Sequence, residues 1–408
     1  MGKIEIDHTG SGGGITLSSD GTSLLLGGTA VGGSALELYA ENPVSYTAPS
    51  ATGDDAVAIG DTAIASNANS IAIGRTATAS GSNAFALYQG TASGANALAF
   101  RGTASGSSSM ALMVGTTASS VYGCAIGQNS GALGAQAVTG NGAMALGGSY
   151  ASGADSFAAA IDSNSSSYGA SATNSIAMGK QAKATSTSAV AIGESNSASA
   201  LWACSIGGYQ NIVSGGASIG GYRNSVTQNY AIAVGGYENT ASNYLTVATG
   251  GHAVASIRGK IAHASNKFSA NGDAQTGTFV LRSDTTDATA EALTSNNGTA
   301  STDNQVILPN NSAYSFSGTI IARESATDGS DYASWEIKGA LLRDANAAST
   351  VLGNGIVNKL YATSGASAWA VALSADTTNG GLKVEVTGAA ATNIRWVATV
   401  NTSEVTYA

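Results

Sequence analysis

Large apolar residues in the middle of this chain come in pairs set two positions apart, as in Val57/Ile59, Phe85/Leu87, Leu98/Phe100, Met110/Leu112, Cys124/Ile126, Met144/Leu146 and Cys204/Ile206. Each pair belongs to a five-residue phrase whose last position is usually glycine. The fullest copies are Ala56-Val57-Ala58-Ile59-Gly60, Ser70-Ile71-Ala72-Ile73-Gly74, Ser175-Ile176-Ala177-Met178-Gly179, Ala189-Val190-Ala191-Ile192-Gly193 and Ala231-Ile232-Ala233-Val234-Gly235. The phrases end at 60, 74, 88, 101, 113, 127, 147, 160, 179, 193, 207, 220, 235 and 250, so most steps are 12 to 15 residues and two are longer, at 20 and 19. Tyr88, Arg101, Met113 and Ala160 stand in for the glycine and leave the phrase before it intact. Alternation with period two predicts a short β-strand with one face in a core. A fixed short period predicts a solenoid, in which each unit contacts only its neighbours.

The residue between the paired apolar side chains is always small, for example Ala58, Ala72, Ala177, Ala191 and Ala233, with Ser205 and Ser218 in two other copies. A strand face open to water tolerates Thr, Lys or Glu at such a position. With the paired residues taken as the inward set, the small stripe predicts that another backbone lies against the outer face. These alanines are therefore expected where chains meet side by side. The segments between phrases, such as 61–69 and 181–188, are polar and supply turn residues. One repeat then makes two short strands and two turns, a single coil of a narrow roll. Two buried aliphatics contribute roughly 3–6 kcal/mol, whereas ordering a coil of about 14 residues costs at least about 14 kcal/mol. A coil therefore depends on the ladders above and below it, and on partner chains.

Asn69-Ser70-Ile71-Ala72-Ile73-Gly74 and Asn174-Ser175-Ile176-Ala177-Met178-Gly179 resemble the head repeat of the trimeric autotransporter adhesins. The resemblance covers roughly 51–257 and implies a left-handed parallel β-roll, three of which pack about a threefold axis. The alanines named above would then be trimer contacts. The coiled-coil stalk and C-terminal membrane barrel of that family have no counterpart in this sequence.

Outside the repeats the pattern changes. In 1–50, Ile4/Ile6, Ile15/Leu17 and Leu24/Leu26 alternate around Gly-rich turns, which predicts a separate unit of two or three short strands. Pro43 and Pro49 mark the passage into the roll, and 258–276, where the phrase stops, is expected to be a neck. Seven candidate strands follow in 277–408, at 278–282, 305–308, 314–323, 334–342, 368–373, 382–387 and 393–401, a spacing that predicts a β-sandwich. Trp335, Trp369 and Trp396 alternate with apolar neighbours there and are expected in its core. The opening stretch from Lys3 and the closing stretch from Trp396 resemble the ends of fibre-type virion proteins of marine tailed phages. The fold class is thus all-β throughout.

Composition narrows the functions. A net charge of −9 speaks against nucleic-acid binding, which uses basic patches. No run of about 20 apolar residues predicts a membrane span, and the first eight residues hold no apolar stretch of signal-peptide type. Cys124 and Cys204 occupy the position of Val and Ile in other copies and read as small inward hydrophobes. Gly216-Ala217-Ser218-Ile219-Gly220 matches a hydrolase nucleophile elbow in spelling only, because Ser218 fills the small slot of a repeat strand. The carboxylates Asp54, Asp55, Asp61, Asp155, Asp162, Glu194 and Glu238 are scattered among turns. His8, His252 and His263 have no metal-ligand spacing. No catalytic residue, metal site or cofactor is expected.

One row stands out as a candidate contact surface. Tyr209, Tyr222, Tyr237 and His252 follow the Gly-Gly pairs of four successive coils and should stack about 4.8 Å apart, either bracing the edge of the roll or offering a stripe to a glycan. The expectation for the whole chain is a non-enzymatic homotrimeric phage fibre displayed on the virion, a tail fibre by preference. It would dock on other virion proteins through 1–50 and meet a host cell-surface glycan or protein through its C-terminal tip, where 284–304 and 343–354 read as long loops. A capsid-decorating head fibre is the nearest alternative. A cellular adhesin, a polysaccharide-degrading tailspike and an ice-binding solenoid follow at a distance.

Overall fold

The computed structural model describes residues 4–6, 15–19, 24–26, 29–31, 45, 47–127, 137–160 and 167–407. The chain divides into two compact units, 1–147 and 148–408. Both contain turns of parallel β-solenoid, and the fourteen phrases fall seven to each unit. Within each unit every phrase is a strand of a first ladder, in register with the next phrase of that unit, as in Ile71↔Phe85, Ala72↔Ala86 and Ile73↔Leu87. The polar half of each repeat contributes a two-residue strand to a second parallel ladder, as in Thr78↔Thr91 and Ala79↔Ala92. The extra residues of the two long steps include 128–136 and 161–166, which lie outside the described residues.

The faces of the long strand are the reverse of those expected. Ala72, Ala191 and Ala233 are fully buried, and Ala58 and Ala177 nearly so, within a single chain. The middle residue points into the coil. It meets the second ladder there, which also turns alanine inward: Ala65, Ala79, Ala92, Ala104 and Ala118 are all fully buried. The paired aliphatics point out of the coil and stay half-buried or exposed. The physical reason is width. Two ladders joined by turns of two to five residues lie so close together that alanine fills most inward positions, Val213 and Val226 being larger exceptions in the stretch where the long strands carry Ser205 and Ser218. The alanine stripe is therefore the core and not the contact between chains.

Turns are kept equally tight. Asn69, Asn83 and Asn96 hold left-handed backbone, with φ of 55°, 57° and 57°, a conformation asparagine tolerates better than most residues. Their side chains link coil to coil, Asn69 Nδ2 donating to Asn83 Oδ1 at 3.1 Å and Asn83 Nδ2 to Asn96 Oδ1 at 3.0 Å. The glycine that ends the phrase is needed where Gly60, at φ 111°, would place a Cβ 2.9 Å from the backbone of Gly74.

Near the N-terminus, Ile4–Ile6, Ile15–Ser19, Leu24–Leu26 and Thr29–Val31 form a four-stranded antiparallel meander. The proline-marked passage around Pro43 lies outside the described residues.

In the second unit the roll runs past 257. Ile261–Ala264 pairs in parallel with the strand before it, and Ala274–Thr285 already belongs to the sandwich. The segment expected to be a neck is thus a last coil strand and one turn. The sandwich has a large antiparallel sheet in the order Ala274–Thr285, Ile394–Thr406, Ser312–Glu324, Tyr332–Arg343, Val351–Ala362. A smaller sheet has Gly381–Thr387 at its centre, with Ala370–Asp376 on one side and Ala290–Ala292 and Val306–Ile307 on the other. Trp335, Trp369 and Trp396 fill the space between the sheets as expected. Their rings approach to 5.4 and 5.9 Å, and Trp396 Nε1 donates to Thr285 Oγ1 at 2.9 Å.

A buried polar group ties the last coil to the last strand. Lys260 Nζ lies 2.6 Å from Glu404 Oε2, both side chains being almost wholly buried. Gln275 Nε2 and Thr402 Oγ1 also donate to the Glu404 carboxylate, at 2.7 and 2.6 Å. Burial pulls the Lys260 ammonium below its ordinary range against the opposing pull of Glu404. Burial first, and then Glu404, pushes the Tyr314 phenol up. The turn between coil and sandwich is closed by Asp273, whose carboxylate accepts the backbone N–H groups of Phe268, Ser269 and Ala270 at 2.7–2.9 Å. Burial raises its pKa, but these hydrogen bonds outweigh it and hold the value at about 2.

Two outcomes test this packing. Ala72→Leu, Ala177→Leu and Ala191→Leu should each destabilise by about 1–3 kcal/mol or more through overpacking, read as a lower urea midpoint. A variant that unfolds with the wild type would put these methyls outside. Because the folded pKa of Asp273 lies below its usual 3.8, its contribution is present above about pH 4 and lost as pH falls through about 2. Asp273→Asn should flatten the melting temperature against pH in that window, and an unchanged profile would remove the assignment.

Candidate binding surfaces

The inverted faces give each unit an apolar strip. In the first unit Val57, Phe100 and Met144 are more than a third exposed, and in the second Ile206, Ile219, Val234 and Ile261 are 38–53 % exposed. In-register stacking lines these side chains up along the roll. Contiguous apolar rows of this kind mark a surface that another molecule covers. Cys124 and Cys204 belong to the same outward set and not to the interior expected for them; both are free and half-buried, and burial raises their thiol pKa.

The aromatic row stacks as anticipated. Tyr209 and Tyr222 lie 5.4 Å apart and Tyr222 and Tyr237 4.9 Å, nearly parallel at 5°, while His252 meets Tyr237 edge-on at 4.9 Å. Beneath it runs a second row not anticipated from the sequence. Asn196, Asn211, Asn224 and Asn239 are fully buried. Each side-chain oxygen accepts the backbone N–H one coil on, at 2.9–3.0 Å. The amide of Asn224 donates to the carbonyls of Gly220 and Gly235, and those of Asn211 and Asn239 do the same one coil either way. The Gly-Gly insertion widens the turn and leaves carbonyls without strand partners; the amide row satisfies them. The signal was present as Gly-Gly-Tyr-x-Asn, in which asparagine recurs as faithfully as the ring.

The row ends in a polar cluster. Glu238 faces Arg223 at 3.5 Å, His252 at 3.5 Å and Lys267 at 3.8 Å, and Asn271 Oδ1 lies 3.0 Å from His252 Nδ1. Other turn carboxylates also pair with cations one coil away, Asp61 with Arg75 at 3.6 Å and Glu194 with Lys180 at 3.8 Å. Asp162 lies outside the described residues. Ser218 is fully buried inside the coil, so the elbow-like spelling around it presents no nucleophile to solvent. Among the described residues no three His, Cys, Asp or Glu side chains are grouped to hold a metal ion, and no helix is long and apolar enough to cross a membrane.

Large side chains also occupy left-handed turn positions that hold asparagine elsewhere. Trp202, Tyr230 and Leu245, with φ near 60°, are 54–72 % exposed. Between Trp202 and Tyr230 the intervening coil offers only Gly216 and Ala217, which leaves a cleft of about 410 Å³.

The YadA head domain repeat matches residues 51–77, 65–87 and 170–196, so the chain contains adhesin-type head repeats in both units. No curated protein matches the chain. Two crystal structures show a distant likeness. The Acinetobacter phage vB_ApiP_P1 tailspike protein is 9% identical over 89% of this chain and 81% of its own, with a TM-score of 0.24. The Acinetobacter baumannii phage AM24 tailspike protein is 8% identical over 85% of this chain and 65% of its own, with a TM-score of 0.19.

Asn224→Leu tests the amide row. It strands one N–H and two carbonyls, each at about 1–3 kcal/mol, so a loss of about 3 kcal/mol or more is expected in urea denaturation. Gln228→Ala, on an exposed turn, should stay within about 0.5 kcal/mol of wild type. Equal stability of the two variants would make the row incidental.

Proposed function

We propose that this chain is one protomer of a homotrimeric attachment fibre carried on a phage particle. The observation that carries the reading is the outward apolar strip. The coil interior is filled mostly by alanine methyl groups, so the paired aliphatics lie where only another chain can bury them. Three rolls set face to face would do so about a common axis, the arrangement that the adhesin head repeats imply. The contact residues are then the paired aliphatics, such as Ile206, Ile219 and Val234, and the alanines support them from behind. The likeness of both chain ends to phage fibre proteins favours a virion as the home of the fibre, with 1–50 docking on other virion proteins. The sandwich serves as the host-facing part. Three copies per fibre convert weak contacts into firm attachment through avidity. The work is adhesion, without turnover of the polymer.

The test is a sedimentation and cell-binding experiment on the full chain. Wild type should sediment at about three times 39.8 kDa and bind host cells. Ile219→Asp with Val234→Asp, both on exposed positions, should yield folded single chains that bind at least about 100-fold more weakly, the loss of avidity. A monomeric wild type overturns the trimer. Release of reducing ends from host polysaccharide by wild type overturns the non-enzymatic reading. Antibody against 1–50 seen at the capsid, not the tail, would make this a decorating head fibre.

A further inference from the structure

The apolar strip stops where the roll meets the sandwich. Ile261 pairs with Thr278, and from there the outer face of the large sheet is mixed: Thr276, Thr278, Asn401, Ser403, Ser315 and Ser317 share it with the exposed Val280, Val397 and Ile321. The row at the far end of this face concentrates charge and aromatic rings. Strand register sets Asp284 opposite Arg395, Arg395 opposite Arg323 and Arg323 opposite Tyr332. Tyr361 of the edge strand stacks on Tyr332 at 5.2 Å. Five neighbouring strands thus contribute one exposed polar or aromatic side chain each, in a line spanning about 19 Å at about 4.8 Å per strand. It lies about 20 Å beyond the roll, six residues along the strand from Thr278.

Two arginines directly opposite one another on a sheet repel. Asp284 offsets Arg395, its Oδ1 lying 3.7 Å from Nε. Glu324, the other nearby acid, is engaged by its own loop, accepting the N–H of Asp331 at 2.8 Å. Asp328 is held by Asn393, whose backbone and side-chain N–H groups both donate to it. Arg323 has no carboxylate partner among the described residues. The two guanidinium groups border an open cavity of about 490 Å³ with Asp284, Glu324 and Asn393 on its walls.

We infer that this row binds an acidic polysaccharide bearing one carboxylate per sugar or repeat, with Arg323 and Arg395 holding the carboxylate and Tyr332 and Tyr361 supporting a neighbouring ring. A planar guanidinium pairs with a carboxylate through two charge-assisted hydrogen bonds. The wall carboxylates and Asn393 suit sugar hydroxyl groups, and their negative charge disfavours densely sulfated or phosphorylated polymers. The stacked tyrosines, half-exposed, offer the apolar surface against which the C–H face of a pyranose packs. This deepens the fibre reading and rests on it for the biological setting, while the site itself stands on the row.

The experiment titrates the full chain by calorimetry with a hexamer of mannuronic and guluronic acids and, in parallel, with maltohexaose. The uronate should bind with an affinity that falls as salt is raised, and the neutral hexamer at least tenfold more weakly. Arg323→Ala should cut uronate affinity at least tenfold and Tyr361→Ala about fivefold, with sedimentation and melting unchanged because both side chains are exposed. Tyr222→Ala, in the roll, should leave it as in wild type. No uronate binding at millimolar concentration, equal binding of the two hexamers, or wild-type affinity in Arg323→Ala each overturns the site. Host-cell attachment that persists in any of those cases leaves the fibre standing without it, whereas uronate binding by a chain that fails to attach to cells removes the fibre and keeps the site.

Discussion

The narrowness of the coil governs this molecule. Two ladders of strands joined by short turns approach so closely that small side chains are needed between them, and alanine accordingly faces inward from both along most of the roll. An alanine interior buries little apolar area per residue, while each ordered residue costs roughly 1–2 kcal/mol of backbone entropy. The difference has to come from continuous ladder hydrogen bonding and from whatever covers the outward aliphatics. Repetition and the association proposed above are therefore two consequences of one geometric limit.

The same limit explains the buried polar devices. A thin coil has no room for stray backbone groups, and wherever a turn is widened, as at the Gly-Gly pairs, something must satisfy the freed carbonyls. The amide row of Asn196, Asn211, Asn224 and Asn239 does this coil after coil. At the end of the roll the chain changes from a parallel to an antiparallel architecture, and Lys260 meets Glu404 across 144 residues of sequence. A buried ion pair contributes little net stability, yet losing one member leaves the other charged and unpaired. Such a contact suits a joint, since it tolerates few alternative registers.

Within the second unit the surfaces divide by chemistry. The outward face of the roll is aliphatic and periodic, suited to identical partners. The continuation of that face on the sandwich mixes small polar residues with Val280, Ile321 and Val397, and at its far end Arg395, Arg323 and Tyr332 stand side by side. A repeated strip suits the proposed assembly because its spacing is uniform. A single irregular row suits the proposed recognition because it occurs once.

Much of this was legible in the order of residues. The fixed step of the phrase specified a parallel solenoid, the Gly-Gly-Tyr spacing specified a stacked row of rings, and alternation around Trp335, Trp369 and Trp396 specified a sandwich core, because each is a local pattern that a regular backbone simply repeats. The strand Val351–Ala362 was hidden, since its Gly353-Asn354-Gly355 spells a turn and its exposure on both faces removes alternation. The ends of the roll were hidden too, because Lys260 is charged in sequence and buried only through Glu404. The facing of the repeat strand was beyond the sequence altogether. Period two states that neighbours lie on opposite faces and is unchanged when inside and outside are exchanged. The distance between the two ladders made that choice, and distance exists only once the coil has closed.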